Sequence, residues 1–246
     1  MTSFWIALQF LTVLPIQLKT IPTAQQNAQA ILFYPFIGLL IGLVLCASAI
    51  LLFKLPTILL ASIILVLWIW LTGGLHLDGL ADTADAWVGA FGDKERTLNI
   101  MKDPACGPIG VLSLVMICVL KFTAIYVLLE QQLTAFLIVV PAIGRSAVLF
   151  LFLTTRYVRQ QGLGRSIADL LPKKYACIVF VITLTLLCVF GWVGLFSLIM
   201  FLLVLLYLRK KFIDRISGIT GDTVGASIEL TEVSVLMSFL FAFYYL

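Results

Sequence analysis

Residues 73–86 read GGLHLDGLADTADA and place Asp78, Asp82 and Asp85 at i, i+4 and i+7, just after the chain's only histidine, His76. On a helix that spacing puts three carboxylates on one face. Like charges so spaced destabilise a helix, and burial worsens the repulsion, so the face is either solvated or covered by a cation. Oxygen donors without His or Cys at metal spacing suit Mg²⁺ or Mn²⁺ rather than zinc. Mg²⁺ typically takes a few carboxylates and shares the rest of its shell with water and substrate phosphate. A second acidic stretch, GDTVGASIELTE at 221–232, sets Asp222 and Glu229 at i and i+7, with Glu232 further round. If Asp93 is counted with the first stretch, the two hold seven of the chain's twelve acidic residues. Two carboxylate helices facing each other build a divalent-metal site between helices of a bundle.

The remaining polar residues complete the candidate chemistry. ERTLNIMKDPACGPIG at 95–110 supplies Arg96, Asn99, Lys102 and Asp103 at i, i+3, i+6 and i+7. On a helix this is a cationic stripe able to face the carboxylates and bind phosphate or diphosphate; the plainer reading is a basic surface stripe with an ion pair. Arg145, in PAIGRSAVLF, lies within an apolar run, where charge is costly and serves a site, a pathway or a pairing with another helix. Lys121 is similar, with snorkelling as its bland alternative. His76 is either a general base or substrate contact, or a structural hydrogen-bonder. Arg156, Arg159 and Arg165, with GLGR at 162–165, offer a surface for a nucleotide or other large polar substrate, or simply set orientation.

The elements that must hold these residues are membrane helices. Of 246 residues 62% are hydrophobic and 11% charged, and the mean hydropathy is +1.15, far outside the range of soluble domains. Apolar runs appear at 31–53, 57–73, 109–129, 133–153, 175–190, 193–208 and 233–246. Continuous runs select helices over a barrel, because in lipid the backbone must satisfy its own hydrogen bonds. The expected fold is all-α: a polytopic bundle of about seven membrane helices. GWVG at 191–194 divides the run 175–208 into a hairpin. FWIALQFLTVLPI, stopped by Pro15, is expected to be a re-entrant or interfacial helix.

Twelve of the sixteen basic residues fall on alternate loops, at 74–108, 154–174 and 209–232. The positive-inside rule therefore puts those loops, and the dense polar motifs beside them, on the cytoplasmic face, with the C-terminus outside. The net charge of +4 contains no basic run of the kind that binds nucleic acid. Five scattered cysteines without CxxC spacing indicate neither a disulfide framework nor a zinc site. The N-terminus lacks a basic n-region and a cleavage site, which argues against a removed signal peptide. With no internal repeat or linker, residues 1–246 are expected to form one domain.

GGLHLDGLADTADA at 73–86, RTLNIMKD at 96–103 and GDTVGASIE at 221–229, with ALQFLTVLPI at 7–16 and FYPFIGLLIG at 33–42, stand in an order that resembles the cobalamin synthases, the adenosylcobinamide-GDP ribazoletransferases. PACGPIG at 104–110 departs from that family's often more polar stretch, so no role is carried onto Cys106. The resemblance implies a multi-pass, inner-membrane enzyme that requires Mg²⁺. It would join adenosylcobinamide-GDP to α-ribazole or its 5′-phosphate and release GMP. Asp78, Asp82, Asp85, Asp222 and Glu229 are then the metal ligands, with a carboxylate such as Asp82 as base and His76 as a second candidate. Arg96, Asn99, Lys102, Asp103 and Arg145 are candidates for substrate binding. Membrane lipid surrounds the chain, and a homo-oligomer is left open. The alternatives are another Mg²⁺-dependent membrane transferase, of the CDP-alcohol phosphotransferase or prenyltransferase kind, and a cation transporter. DGLAD has the wrong spacing for the former's motif, and clustering on one membrane face counts against the latter.

Overall fold

The computed structural model describes residues 2–18, 20–160 and 163–246. Among them the only strand-like pairing is an isolated bridge between Tyr157 and Ile219; everything else regular is helical. In order, the helices are α1 (Thr2–Leu11), α2 (Ala24–Ala30), α3 (Tyr34–Leu51), α4 (Thr57–Leu71), α5 (Leu75–Gly89), α6 (Lys94–Ile100), α7 (Pro108–Glu130), α8 (Phe136–Thr154), α9 (Leu163–Leu170), α10 (Lys173–Cys188), α11 (Gly191–Ile216) and α12 (Gly221–Tyr245). The fold is an all-α polytopic membrane bundle, as expected. Five segments are long and apolar enough to cross a membrane: the continuous run Ala24–Leu51 and helices α7, α8, α11 and α12. Two bent pairs, α4 with α5 at 86° and α9 with α10 at 99°, raise the number to seven if each is one span.

Helices α8 and α12 form the centre. Nearly every residue of α8 from Phe136 to Leu149 is buried, and α12 is buried along most of its length, whereas α7 and α11 expose apolar side chains. Outward Leu, Val and Ile are what a lipid-facing surface requires, so the pattern separates a protein-facing interior from a lipid-facing rim. The apolar N-terminal stretch is a short helix, α1, packed on α2 and α3. Residues 175–208 divide as expected, at Gly191 in a left-handed conformation (φ +62°).

Two boundaries differ from the sequence reading, and a third, the start of the last helix, matches the polar first turns that 221–233 could form. Helix α11 runs on to Ile216, so Arg209, Lys210, Lys211 and Arg215 ride on a helix end rather than a loop. The acidic stretch 221–232 is the first half of α12, started by a capping box at Thr220. Position 57–73 breaks early: Gly73 (φ +61°) and Gly74 (φ +69°) turn the chain between α4 and α5, a conformation that costs other residues about 1–2 kcal/mol. Past this bend α5, which carries three aspartates and is not by itself one of the five spanning helices, packs against the first turns of α12.

Candidate active site

The opening glycines of GGLHLDGLADTADA make the bend, and a later one makes the site compact. A Cβ at Gly79 would stand 2.8 Å from the carbonyl oxygen of Asp222, so α5 and α12 cross in near backbone contact there. Gly225 meets the His76 backbone from the other helix. The crossing joins the two acidic stretches, 140 residues apart in sequence.

A third segment closes on them. The Val158 amide donates to the Ile219 carbonyl and the Ile219 amide to the Arg156 carbonyl, each at 2.9 Å. This pairing delivers Arg159 to Asp222, with Nη2 donating to Oδ2 at 2.5 Å. Arg159 Nε is buried and has no partner among the described residues.

Along α5, Asp78 is exposed, while Asp82 and Asp85 are half-buried. Their fates diverge. Asp85 accepts from the amides of Gly107 at 2.7 Å and Gly110 at 2.8 Å, which caps the N-terminus of α7 and meets its dipole. Both its oxygens are thus engaged, which sets Asp85 apart from the open pair. The Asp82 carboxyl is pushed up to about 6 by burial and by the carboxylates of Asp78, Asp222 and Asp85, with Arg159 opposing. Three carboxylates, Asp78, Asp82 and Asp222, therefore face one guanidinium at the crossing, a set with surplus negative charge. Among the described residues no three His, Cys, Asp or Glu side chains converge as a ready-made metal cage. Mg²⁺ needs only one or two carboxylates beside water and phosphate, so this donor set fits that ion.

Glu229 and Arg145 lie elsewhere than expected. Lys121 Nζ donates to Glu229 Oε2 at 2.7 Å and to Glu232 Oε2 at 2.5 Å. Arg145 Nη1 donates to Glu232 Oε1 at 3.0 Å and to the Pro141 carbonyl at 2.9 Å. Lys121 also stands 4.5 Å from the centre of the Trp68 ring. Arg145 has 0% of its surface exposed and Glu232 1%, so Arg145 is sealed from any substrate. Its role in this structure is to pair across helices. Glu229, though seven residues from Asp222 on one helix face, sits two turns further along α12 and is tied to Lys121. The heptad spacing is correct, and depth along the helix axis separates the pair.

The stripe at 96–103 does not form as a helical face. Helix α6 ends at Ile100, and Lys102 and Asp103 lie in the turn beyond it. Asp93 is the N-cap of α6, accepting from the Arg96 amide at 2.6 Å, and Asp103 accepts from the Ala105 amide at 3.0 Å. Arg96, Asn99, Lys102 and Asp103 are all exposed, with Arg96 over the Phe91 ring. Arg159 takes the place beside the carboxylates that this stripe was expected to fill. Its partner is 63 residues away, so no local spacing pointed to it. Gly162 of the GLGR stretch lies outside the described residues. Arg215, counted in the sequence reading as orientation charge, donates to the Trp87 carbonyl near the end of α5 and covers the Trp87 ring.

Two cavities open at the crossing. One of about 330 Å³ is walled by apolar side chains of α1, α8, α9 and α12 and has His76, Asp78, Asp222 and Arg159 at its polar end. The other, of about 450 Å³, is lined by Leu98, Lys102, Val158, Arg159 and Gln160. Arg159 borders both.

Residues 3–240 match the family model described as Cobalamin-5-phosphate synthase. An adenosylcobinamide-GDP ribazoletransferase of Acinetobacter baumannii is 63% identical over 246 residues, covering 100% of both chains. A protein of the same name from another strain of that species is 61% identical over the same length. One from Pseudomonas fluorescens is 50% identical over 238 residues, 96% of this chain and 98% of the relative. No solved structure matches.

Proposed function

Because the chain belongs to the cobalamin-5-phosphate synthase family, we propose that it transfers the cobinamide phosphate of adenosylcobinamide-GDP to α-ribazole or its 5′-phosphate, releasing GMP. A ribose hydroxyl oxygen forms a bond to the phosphorus that carries the cobinamide. The bond from that phosphorus to the bridging oxygen breaks, and GMP departs with the bridging oxygen. The hydroxyl proton passes to a carboxylate, for which Asp82 is the candidate, since its raised affinity for protons suits a base near neutrality. The observation that carries the reading is the surplus of Asp78, Asp82 and Asp222 over one guanidinium between two cavities.

Asp78 and Asp222 would hold Mg²⁺, which when bound supplies neutralisation of the diphosphate and of the leaving phosphate, with Asp82 beside them left as the base. Arg159, with its unpartnered Nε, and Lys102 across the second cavity would steady the phosphates. We place the enzyme in the inner membrane with this site on the cytoplasmic side, following the distribution of basic residues. Reporter fusions after residues 95 and 246 are expected to report opposite sides. The decisive assay supplies purified protein with Mg²⁺, adenosylcobinamide-GDP and α-ribazole, and follows GMP; no GMP above the protein-free control sinks the proposal.

A further inference from the structure

The 330 Å³ chamber divides sharply in character. Its walls are mostly apolar, with Phe10, Ile31, Val148, Phe152, Leu163 and Ile228 beside the rings of Tyr34 and Tyr157, and its carboxylates, Asp78 and Asp222, come from the helices α5 and α12 that cross there. His76 stands at that junction, 4% exposed, and makes no hydrogen bond to any described residue. Its ring nitrogens are not among the sealed, unpartnered atoms, so on a residue that lines the chamber they stay within reach of a ligand there.

The chamber is of the size that takes a small organic ligand, far too small for a corrinoid. A guanine base carries several donors and acceptors, more than Tyr34 and Tyr157 could satisfy among otherwise apolar walls. An alkylated benzimidazole base offers flat apolar surface and a single free ring nitrogen. Resting on the transferase reading above, we infer that the chamber holds the aromatic base of α-ribazole, with His76 N–H donating to its free ring nitrogen. The ribose then lies at the polar end, its hydroxyl toward Asp78, Asp82 and Asp222. The N-terminal segment, through Phe10 and Ile31, thereby becomes part of the acceptor site. The diphosphate of the other substrate is left to the second cavity that Arg159 lines.

The test uses the full-length protein in detergent. Equilibrium dialysis of labelled α-ribazole against the wild type should show saturable binding. Leu163→Trp, at a partly exposed wall position, and Val148→Phe, inside the chamber, should each weaken that binding and raise the KM for α-ribazole by at least about tenfold. The KM for adenosylcobinamide-GDP should stay within about twofold. His76→Phe should weaken α-ribazole binding while the melting temperature holds. A folded Leu163→Trp protein with unchanged α-ribazole affinity, or a wild type that does not bind α-ribazole, overturns the inference. A wild type that binds α-ribazole through these residues but releases no GMP supports the chamber assignment and defeats the transfer reading instead.

Discussion

Helix α12 carries acidic residues into two clusters of opposite design. At its N-terminus Asp222 joins Asp78 and Asp82 against Arg159 alone, partly open to solvent and rich in negative charge. Two turns further in, Glu229 and Glu232 meet Lys121 and Arg145 one for one, sealed from solvent. The deep cluster balances its charges, although Arg145 Nε and Nη2 keep no hydrogen-bond partner among the described residues. The unbalanced one is held together by backbone packing at Gly79 and by the 156–158 pairing with Ile219, so the fold tolerates a repulsion that a cation and a phosphorylated substrate would relieve. Charge balance, more than the presence of charge, distinguishes a membrane-protein site from a membrane-protein staple.

Substitutions that remove charge without changing shape divide the two. Asp82→Asn should lower turnover by about 10²–10⁴-fold, the range of a lost general base. It should leave the melting temperature unchanged or higher, because one of the crowded carboxylates is gone; a cooperative loss of folding would place Asp82 with the staple. Glu232→Gln should do the reverse. It strands Arg145 and leaves Lys121 with Glu229 alone, which costs about 3–5 kcal/mol and appears as a lower thermal midpoint in detergent, with activity falling only as folded protein is lost. An unchanged midpoint would mean that the deep cluster does not hold the bundle.

Asp85 sharpens the comparison from within α5. As the cap of α7, Asp85→Asn should cost about 1 kcal/mol of stability and retain far more turnover than Asp82→Asn. Equal losses would return Asp85 to the metal-binding set. The smallest effect is expected at Arg96, exposed on α6: Arg96→Ala should move stability by less than about 0.5 kcal/mol and leave the KM for adenosylcobinamide-GDP nearly unchanged. A large rise in that KM would bring the 96–103 stripe back into the site.

What local patterns could determine is therefore specific. The apolar runs announced the membrane helices, because a backbone in lipid has no other way to satisfy its hydrogen bonds. GWVG announced the hairpin, and the i, i+4, i+7 aspartates announced a charged face, because both follow from helix geometry within a few residues. The partners of those charges were decided by tertiary structure alone. Asp85 caps a helix that starts 23 residues later, Arg159 reaches Asp222 through a strand-like contact, and Glu229 is drawn to Lys121 by depth in the bundle. Helical periodicity reports the angle of a side chain around its own axis. It does not report the height at which another helix crosses, and at this crossing that height separates a carboxylate left for a ligand from one neutralised inside the fold.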